Sequence, residues 1–342
     1  MSLPEFTLLR PRSVSEAIQW LALHGSPRPL SEPDATLRGG VQIVAGGTDL
    51  LPSMRQKLFE PEYLLDIRGI DELRGIRQLP GGGLEIGALT TLTAIEDSGI
   101  IAARYPVLRE AARTVASPLL RNMGTLGGNL CLDTRCLWYN QSLPWRKSCG
   151  FCIKKDGDLC HVAPGGTRCW AVFSCDTPPA LLCLDAEVEI AGPGGTRRLP
   201  LSDLYSNLGD ARIRIGRNEL LTRVVLPAST AGWRGAYLKL RLRGSIDYPL
   251  AGVAAAIQAN GHIENARVAV TAVNPAPLLV KGVGEVLIGK TSSEITDEVA
   301  AAVGELAART ARPLTTSALT PEYRREIVRV YAKRAVLRCL AQ

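Results

Sequence analysis

A chain of 342 residues, 46% of them hydrophobic, is long enough to bury two or three cores, so we expect a globular protein. The formal charge of +7 comes from Lys and Arg spread between Arg10 and Arg338, which favours an ordinary basic surface over nucleic-acid binding. The sequence lacks an apolar run of roughly 18 residues and a signal-peptide pattern, so we expect a cytoplasmic protein without a membrane partner.

The first half of the sequence alternates short strands with helices. Apolar runs bounded by turn residues predict strands at residues 41–45, 63–67 and 84–88. Apolar residues at helical spacing predict helices at 50–57 and from Pro106 to about Ser117. The expected fold class is therefore mixed α/β and α+β.

The second half begins as strands and ends as helix. Strands are predicted at residues 182–190, 220–226, 237–242, 253–258 and 268–273. Thr320 and Pro321 predict the start of a long helix. Its core-facing stripe is expected to contain Tyr323, Ile327, Val330, Tyr331 and Leu337.

Two glycine-rich segments are candidates for phosphate binding. Glycines such as Gly46 and Gly47, with Thr48 and Asp49 after them, let backbone N–H groups approach a pyrophosphate at the start of a helix. An ordinary left-handed turn after a strand explains this first segment equally well. The second segment, residues 121–129, is not the Gly-x-Gly-x-x-Gly fingerprint, so a Rossmann fold is not expected.

Nine cysteines are unevenly distributed, with eight of them between Cys131 and Cys183. In a reducing compartment such a cluster favours metal binding or redox work over disulfides. Zinc and iron both suit four cysteines, but the spacing lacks the paired Cys-x-x-Cys knuckles of zinc ribbons and favours iron. Cys149, three residues before Cys152, is a competing ligand, whereas for His161 a place beside the ligands or in solvent is favoured over ligation. Cys183 is expected to be a buried core residue on a strand.

The order of several motifs resembles the FAD-binding medium subunits of the xanthine dehydrogenase and molybdenum hydroxylase family. The motifs are Val-Ala-Gly-Gly-Thr-Asp-Leu at 44–50, Ile-Gly-Ala-Leu-Thr-Thr at 86–91, Ala-Ser-Pro at 116–118, Arg-Asn-Met-Gly-Thr-Leu-Gly-Gly-Asn at 121–129, Asp-Thr-Pro-Pro-Ala-Leu at 176–181 and Tyr-Leu-Lys at 237–239. The resemblance covers nearly the whole chain.

The resemblance implies a two-part FAD-binding domain of the PCMH/VAO type, followed by an α+β C-terminal domain. The expected boundaries are 1–60 and 61–228 for the two FAD-binding subdomains, with an iron-sulfur insertion at 134–174, and 229–342 for the C-terminal domain. By position in the motifs, the residues expected to contact FAD are Ala45, Gly46, Gly47, Thr48, Asp49, Leu50, Thr90, Thr125, Gly128, Asn129, Asp176 and Lys239. An exposed lysine on an alternating strand is an equally good explanation of Lys239.

About 46 residues separate the second glycine segment from Asp176, where most members of the family have a short connection. The β subunits of 4-hydroxybenzoyl-CoA reductases carry a similar insertion that binds a 4Fe-4S cluster. That resemblance runs through residues 127–136 and 139–142. It implies that the cluster ligands are Cys136, Cys152, Cys160 and Cys169, at steps of 16, 8 and 9 residues.

The implied function is that of an electron-transfer subunit with FAD and a 4Fe-4S cluster. The expected partners are a small subunit with 2Fe-2S clusters and a large subunit with the molybdenum cofactor, in a dimer of heterotrimers supplied by reduced ferredoxin. The expected reaction, in anaerobic aromatic degradation, is reductive dehydroxylation of 4-hydroxybenzoyl-CoA to benzoyl-CoA, with no catalytic residue on this chain. Two alternatives are a molybdenum hydroxylase subunit for another aromatic or heterocyclic substrate, and a flavoprotein whose insertion is a zinc-stabilised docking module.

Overall fold

The computed structural model describes residues 2–25 and 40–342, so the predicted first subdomain, 1–60, lies partly outside the described residues. Within these ranges the chain forms a three-stranded, a five-stranded and a four-stranded sheet. The mixed α+β architecture expected from the sequence is confirmed. None of the described helices is both long and apolar enough to cross a membrane.

The first sheet is parallel and carries the first glycine segment at its edge. Its strands are β1 (Thr7–Leu9), β2 (Val41–Val44) and β3 (Tyr63–Asp66), in the order β1-β3-β2. Helix α1 (Val14–His24) buries Ala17 and Leu21 in the core beside β3. Five residues, 45–49, form the glycine turn between the end of β2 and helix α2 (Leu50–Arg55), as the motif predicts.

The second sheet is antiparallel, and most of the helices lie between its strands in the sequence. Its strands are β4 (Ile76–Gln78), β5 (Leu84–Gly87), β6 (Glu187–Gly192), β7 (Gly195–Pro200) and β8 (Leu220–Leu226), in the order β4-β5-β8-β6-β7. The helices between these strands are α3 (Leu92–Asp97), α4 (Gly99–Arg104), α5 (Pro106–Thr114), α6 (Pro118–Arg121), α7 (Leu126–Leu130), α8 (Leu143–Ser148), α9 (Thr177–Cys183) and α10 (Leu201–Leu204).

The predicted strand at 182–190 is wrong in its first part. Helix α9 extends to Cys183, and the strand starts only at Glu187. Pro178 and Pro179 occupy the first turn of α9, where a missing N–H costs no intrahelical hydrogen bond and the fixed φ angle suits a helix. Cys183 is fully buried, as expected, but on a helix.

The third sheet is antiparallel and forms the C-terminal part with three helices. Its strands are β9 (Arg234–Leu240), β10 (Ala251–Asn260), β11 (His262–Thr271) and β12 (Leu278–Leu279), in the order β12-β11-β10-β9. Helices α11 (Val283–Leu287), α12 (Asp297–Thr310) and α13 (Pro321–Leu340) follow. Helix α13 packs on α12, β9 and β10.

The start of α13 is as predicted, but its buried face is not. The Thr320 hydroxyl accepts a hydrogen bond from the Tyr323 N–H, which caps the helix. The predicted stripe lies at the edge of the interface, and Tyr323 is 48% exposed. The residues that face the core are Arg324, Val328, Ala332, Ala335, Val336 and Cys339. Small alanines let the helix approach the sheet closely, and a pattern based on large side chains misses them.

Candidate functional site

The first glycine segment joins β2 to α2 and has unused backbone donors. Gly47 has a φ of 70°, a left-handed conformation that glycine adopts without strain. The N–H groups of Gly47 and Thr48 donate no hydrogen bond to any other described residue. Ala45 packs on the core beside β3, and Leu50 packs on a second small core. The turn therefore has an apolar anchor at each end and free donors in the middle, a combination that suits an anion.

The second glycine segment lies against the first through direct backbone contact. An added Cβ at Gly46 would stand 2.0 Å from the carbonyl oxygen of Met123, so no other residue fits there. An added Cβ at Gly124 would lie 3.8 Å from Oγ1 of Thr48. The two segments that the sequence places far apart are thus adjacent.

The second segment is held by hydrogen bonds to the strand-to-helix connection after β5. The Leu126 N–H donates to the carbonyl of Thr90 at 2.9 Å, and the Gly127 N–H donates to the carbonyl of Ala88 at 2.9 Å. The Thr90 hydroxyl itself donates to the Gly75 carbonyl at 3.0 Å and is buried. Thr90 is therefore next to the predicted FAD loop, with its hydroxyl engaged inside the protein.

Thr125, Gly128 and Asn129 all belong to helix α7 or its cap. The Thr125 hydroxyl accepts from the Gly128 N–H at 3.1 Å, and Gly128 is exposed. The Asn129 Oδ1 accepts from the Thr177 hydroxyl at 2.6 Å, which fixes the side-chain amide and leaves its NH₂ group as the remaining donor. These contacts connect the second segment to the start of α9.

Asp49 forms a three-residue cluster with two residues that the sequence reasoning missed. Its carboxylate pairs with the Arg135 guanidinium and accepts a hydrogen bond from the Tyr248 hydroxyl at 2.7 Å. Arg135 also donates to the Tyr248 hydroxyl at 2.6 Å and stacks over the Tyr248 ring at 4.4 Å. The arginine neutralises a carboxylate that would otherwise repel a bound pyrophosphate.

Asp176 and Lys239 form a buried ion pair between α9 and β9. The Lys239 Nζ donates to Asp176 Oδ2 at 2.9 Å and to the Thr114 carbonyl at 2.8 Å, and the Tyr237 hydroxyl donates to Asp176 Oδ1 at 2.8 Å. Only 2% of the Lys239 side chain and 4% of the Asp176 side chain are exposed. The alternative of a surface lysine is therefore wrong, and the two predicted residues lie together.

The insertion is closed at its base and packs against the residues that follow α2. Arg135 and Val172 exchange backbone hydrogen bonds at 2.7 and 2.8 Å. The Arg146 guanidinium donates to the carbonyls of Gln56 and Lys57 at 3.2 and 2.9 Å. The insertion adds Tyr139 and Cys152 to an apolar cluster that also contains Met54, Leu58 and Phe59. These side chains therefore pack on residues outside the insertion.

The four predicted cluster ligands are in the same insertion but in different settings. Cys152, Cys160 and Cys169 are buried, and Cys136 is half-buried. Burial raises the pKa of Cys136 to about 11 and of Cys169 to about 12, while the nearby Lys154 ammonium opposes both shifts. A negative charge on Cys152 also acts to raise the pKa of Cys136, and one on Cys136 acts to raise the pKa of Cys169.

Among the described residues, no three His, Cys, Asp or Glu side chains are close enough to share one metal ion. His161 is engaged elsewhere, because its Nε2 lies 2.5 Å from the Phe151 carbonyl and its ring stacks on Trp138. Cys149 is half-buried at the end of α8. The environment of the sulfurs nevertheless suits an anionic group, since the buried Lys154 follows Cys152 by two residues and its ammonium opposes the raised pKa of Cys136 and of Cys169.

Comparisons with known proteins agree with the motif order. Residues 4–229 match the family described as the FAD binding domain in molybdopterin dehydrogenase, and residues 236–339 match the CO dehydrogenase flavoprotein C-terminal domain. The chain belongs to this FAD-binding family. It is an FAD-binding oxidoreductase subunit of the molybdenum hydroxylase, CO dehydrogenase and xanthine dehydrogenase group.

Full-length relatives extend the similarity to both parts of the chain. The carbon monoxide dehydrogenase medium chain of Afipia carboxidovorans is 32% identical over 98% of this chain and 97% of its own length. The corresponding chain of Hydrogenophaga pseudoflava is 31% identical over 87% and 85%. A chain of the reconstituted CO dehydrogenase from Oligotropha carboxidovorans shares the fold with a TM-score of 0.78, at 29% identity over 100% and 99%.

The residues missed from the sequence had unequal signals. Tyr237 was detectable, because residues two apart on a strand share a face and Lys239 was already a candidate. Arg135 adjoins Cys136 and lies at the start of the insertion, so its position was a weak signal. Tyr248 belongs to no motif, and only the tertiary structure brings it to Asp49.

Proposed function

We propose that this chain is the FAD and 4Fe-4S electron-transfer subunit of a molybdenum-containing aryl-CoA reductase of the 4-hydroxybenzoyl-CoA reductase type. The observation that carries the proposal is the cysteine-rich insertion between α7 and α9, which is closed by the Arg135–Val172 pairing and contains the buried Lys154 two residues after the buried Cys152. A loop of this length with so little core of its own needs a staple, and four thiolates on one cluster provide it.

FAD would be held by the two adjacent glycine segments. The free N–H groups of Gly47 and Thr48 suit the pyrophosphate, with Gly46 permitting the close approach of the second segment. Thr125, Gly128 and Asn129 would complete the site from α7. When bound, FAD supplies exchange between one-electron and two-electron chemistry. The Lys239 ammonium would be the cation close to the flavin end of FAD. Its partner Asp176 is held in place by the hydrogen bond from the Tyr237 hydroxyl.

The cluster would be held by Cys136, Cys152, Cys160 and Cys169. A four-iron cluster binds each thiolate to a different iron, so its four sulfurs lie farther apart than four sulfurs on one zinc ion. When bound, such a cluster supplies one-electron exchange with an external carrier, for which we propose reduced ferredoxin.

The proposed assembly follows from the relatives, which are medium chains. We expect a large subunit with the molybdenum cofactor and the substrate site, and a small subunit with 2Fe-2S clusters, in a cytoplasmic dimer of heterotrimers. The complex would remove the phenolic hydroxyl of 4-hydroxybenzoyl-CoA to give benzoyl-CoA. The proposed domain limits are those predicted, 1–60, 61–228 and 229–342.

A second candidate is an FAD subunit of a molybdenum hydroxylase that oxidises another aromatic or heterocyclic substrate. Relatives that are similar over most of the chain include carbon monoxide dehydrogenase medium chains and the nicotine 6-hydroxylase medium subunit of Paenarthrobacter nicotinovorans, which supports an oxidative activity of this kind. In that case the insertion would be structural or would bind zinc.

Turnover of the complete complex with reduced ferredoxin tests the proposal. The Cys152→Ser complex should lose ferredoxin-driven reduction of 4-hydroxybenzoyl-CoA and keep its FAD, because serine is close in size to cysteine and Cys152 is not one of the residues proposed to hold FAD. Cys149→Ser is the matched control in the same insertion and should retain turnover. Equal activity of the two variants, or no reduction of this substrate by the native complex, would reject the proposal.

A further inference from the structure

Lys154 is a buried cation with an unusually complete set of contacts. Its Nζ donates to Asp133 Oδ1 at 2.8 Å, to the Thr134 carbonyl at 3.1 Å and to the Gly209 carbonyl at 3.1 Å. It also contacts the Thr134 hydroxyl and lies 4.3 Å from the centre of the Tyr139 ring. Only 4% of the side chain is exposed, so the ammonium is held in one position inside the insertion.

These contacts join segments that carry different cysteines. Lys154 follows Cys152 by two residues, and Thr134 precedes Cys136 by two residues. The ammonium therefore fixes the Cys136 segment relative to the Cys152 segment. The Cys160 segment is tied to the same turn by the hydrogen bond from the Ile153 N–H to the Leu159 carbonyl at 2.9 Å.

A third cysteine segment reaches the same ammonium through Gly209. The Gly209 N–H donates to the Cys169 carbonyl at 3.1 Å. An added Cβ at Gly209 would stand 2.7 Å from the Cys169 sulfur, so this glycine forms one wall of the sulfur's surroundings. Because its carbonyl accepts from Lys154, the three segments meet at one positive charge.

The charge balance of the insertion favours a negative group at this point. Residues 131–175 contain six Lys or Arg and three Asp. The Arg146 and Lys154 side chains are almost fully buried, with 2% and 4% exposed, and a buried charge needs compensation. Arg146 lies 3.8 Å from Asp156, a carboxylate that also lies 4.0 Å from Lys155. Asp133 pairs with Lys154 and also lies 3.5 Å from Arg212, so one carboxylate serves two cations.

We propose that Lys154 is the positioning cation of the cysteine centre. It draws the Cys136, Cys152 and Cys169 segments around one point, and its charge offsets part of the negative charge of the thiolate-ligated group. The inference rests on the proposed function in one respect, that the insertion holds such a group. It assigns a role to a residue that the cysteine pattern does not identify.

Two variants separate positioning from charge. Lys154→Gln keeps a hydrogen-bond donor near Gly209 and Thr134 but removes the charge, whereas Lys154→Arg keeps the charge. Lys147→Met removes an exposed lysine of the same insertion and is the matched control. Each chain is produced anaerobically as the full complex, and iron, zinc and FAD per chain are measured together with a redox titration followed by electron paramagnetic resonance.

We expect Lys154→Gln to lower the ratio of reduced to oxidised cluster at a fixed potential by about three- to tenfold, where tenfold is 59 mV for one electron. Lys154→Arg and Lys147→Met should stay close to the native ratio. A native ratio in Lys154→Gln would overturn the inference even if iron is present, and the proposed function would stand.

Metal content distinguishes failure of the inference from failure of the proposed function. If the native chain holds zinc, the iron proposal fails, and the inference is tested by how fast a chelator removes the zinc. Loss at least threefold faster from Lys154→Gln than from Lys147→Met supports the inference, and equal loss overturns it. A native chain without metal overturns both.

Discussion

The buried Asp176–Lys239 ion pair gives the sharpest prediction of stability. Lys239→Met removes the ammonium and leaves the Asp176 carboxylate buried, with the Tyr237 hydroxyl as its remaining side-chain donor. The perturbation is local, because the methionine side chain is similar in length and can occupy the same space. The pair also joins α9 to β9, so its loss weakens the contact between the two regions that the family models match.

The expected cost is large because both side chains are almost fully buried and Nζ and Oδ2 are 2.9 Å apart. Removing one partner of a buried pair typically costs about 3–5 kcal/mol, which is roughly a hundredfold to a few thousandfold in the unfolding equilibrium. Asp176→Asn together with Lys239→Met removes both charges. The double variant should therefore lose less stability than the sum of the single variants, with a coupling of about 1–3 kcal/mol.

Urea unfolding followed by circular dichroism measures these differences. The control is Lys333→Met, which removes one partner of the surface pair Lys333–Asp297, where 76% of the Asp297 side chain is exposed. An exposed pair of this kind contributes less than about 1 kcal/mol. Equal shifts for Lys239→Met and Lys333→Met, or simple additivity in the double variant, would refute the reasoning.

Three further predictions concern the FAD loop and acid stability. Gly46→Ala should lose more than half of the bound FAD, because the added Cβ would stand 2.0 Å from the Met123 carbonyl oxygen. The control Gly99→Ala places its Cβ in open space and should keep FAD, so equal flavin absorbance in the two variants would count against the loop contact. Arg135→Met should raise the Kd for FAD about tenfold in a fluorescence titration, since the Asp49 carboxylate then lacks its arginine beside the first glycine segment. An unchanged Kd would exclude a role for Arg135 in neutralising Asp49. The hydrogen bond from Arg68 lowers the pKa of Asp66, so the stability that Asp66 contributes is complete above about pH 4 and is lost as the pH falls through its folded pKa. The difference in urea midpoint between the native chain and Asp66→Asn should therefore shrink in acid, and a difference that grows would contradict the assignment.

The sequence predicts the parts of the site that depend on local pattern. The strand before Gly46, the helix after Asp49 and the cap of α13 at Thr320 all follow from turn chemistry and spacing, and all are present. The mixed α+β fold is confirmed for the same reason. The order of the motifs identified the family, because several modest motifs follow one another in this chain in the same order as in the family.

The sequence does not predict contacts between distant segments. The approach of Gly46 to Met123 and the pairing of Asp49 with Arg135 depend on how the sheets pack, and no periodicity encodes that packing. Burial of Lys239 was undecidable from an alternating strand, since either face can be covered by another element. The predicted strand at 182–190 failed because prolines start α9 in a run that is apolar in either conformation.

The central claim is that the insertion between Asn129 and Asp176 carries a 4Fe-4S cluster on an FAD subunit. The most direct measurement is the content of iron, acid-labile sulfide, zinc and FAD in the natively assembled protein, purified without oxygen. After the iron and sulfide of the small subunit's 2Fe-2S clusters are subtracted, the account predicts about four irons and four sulfides for each FAD. Stoichiometric zinc, or an insertion without metal, would contradict it.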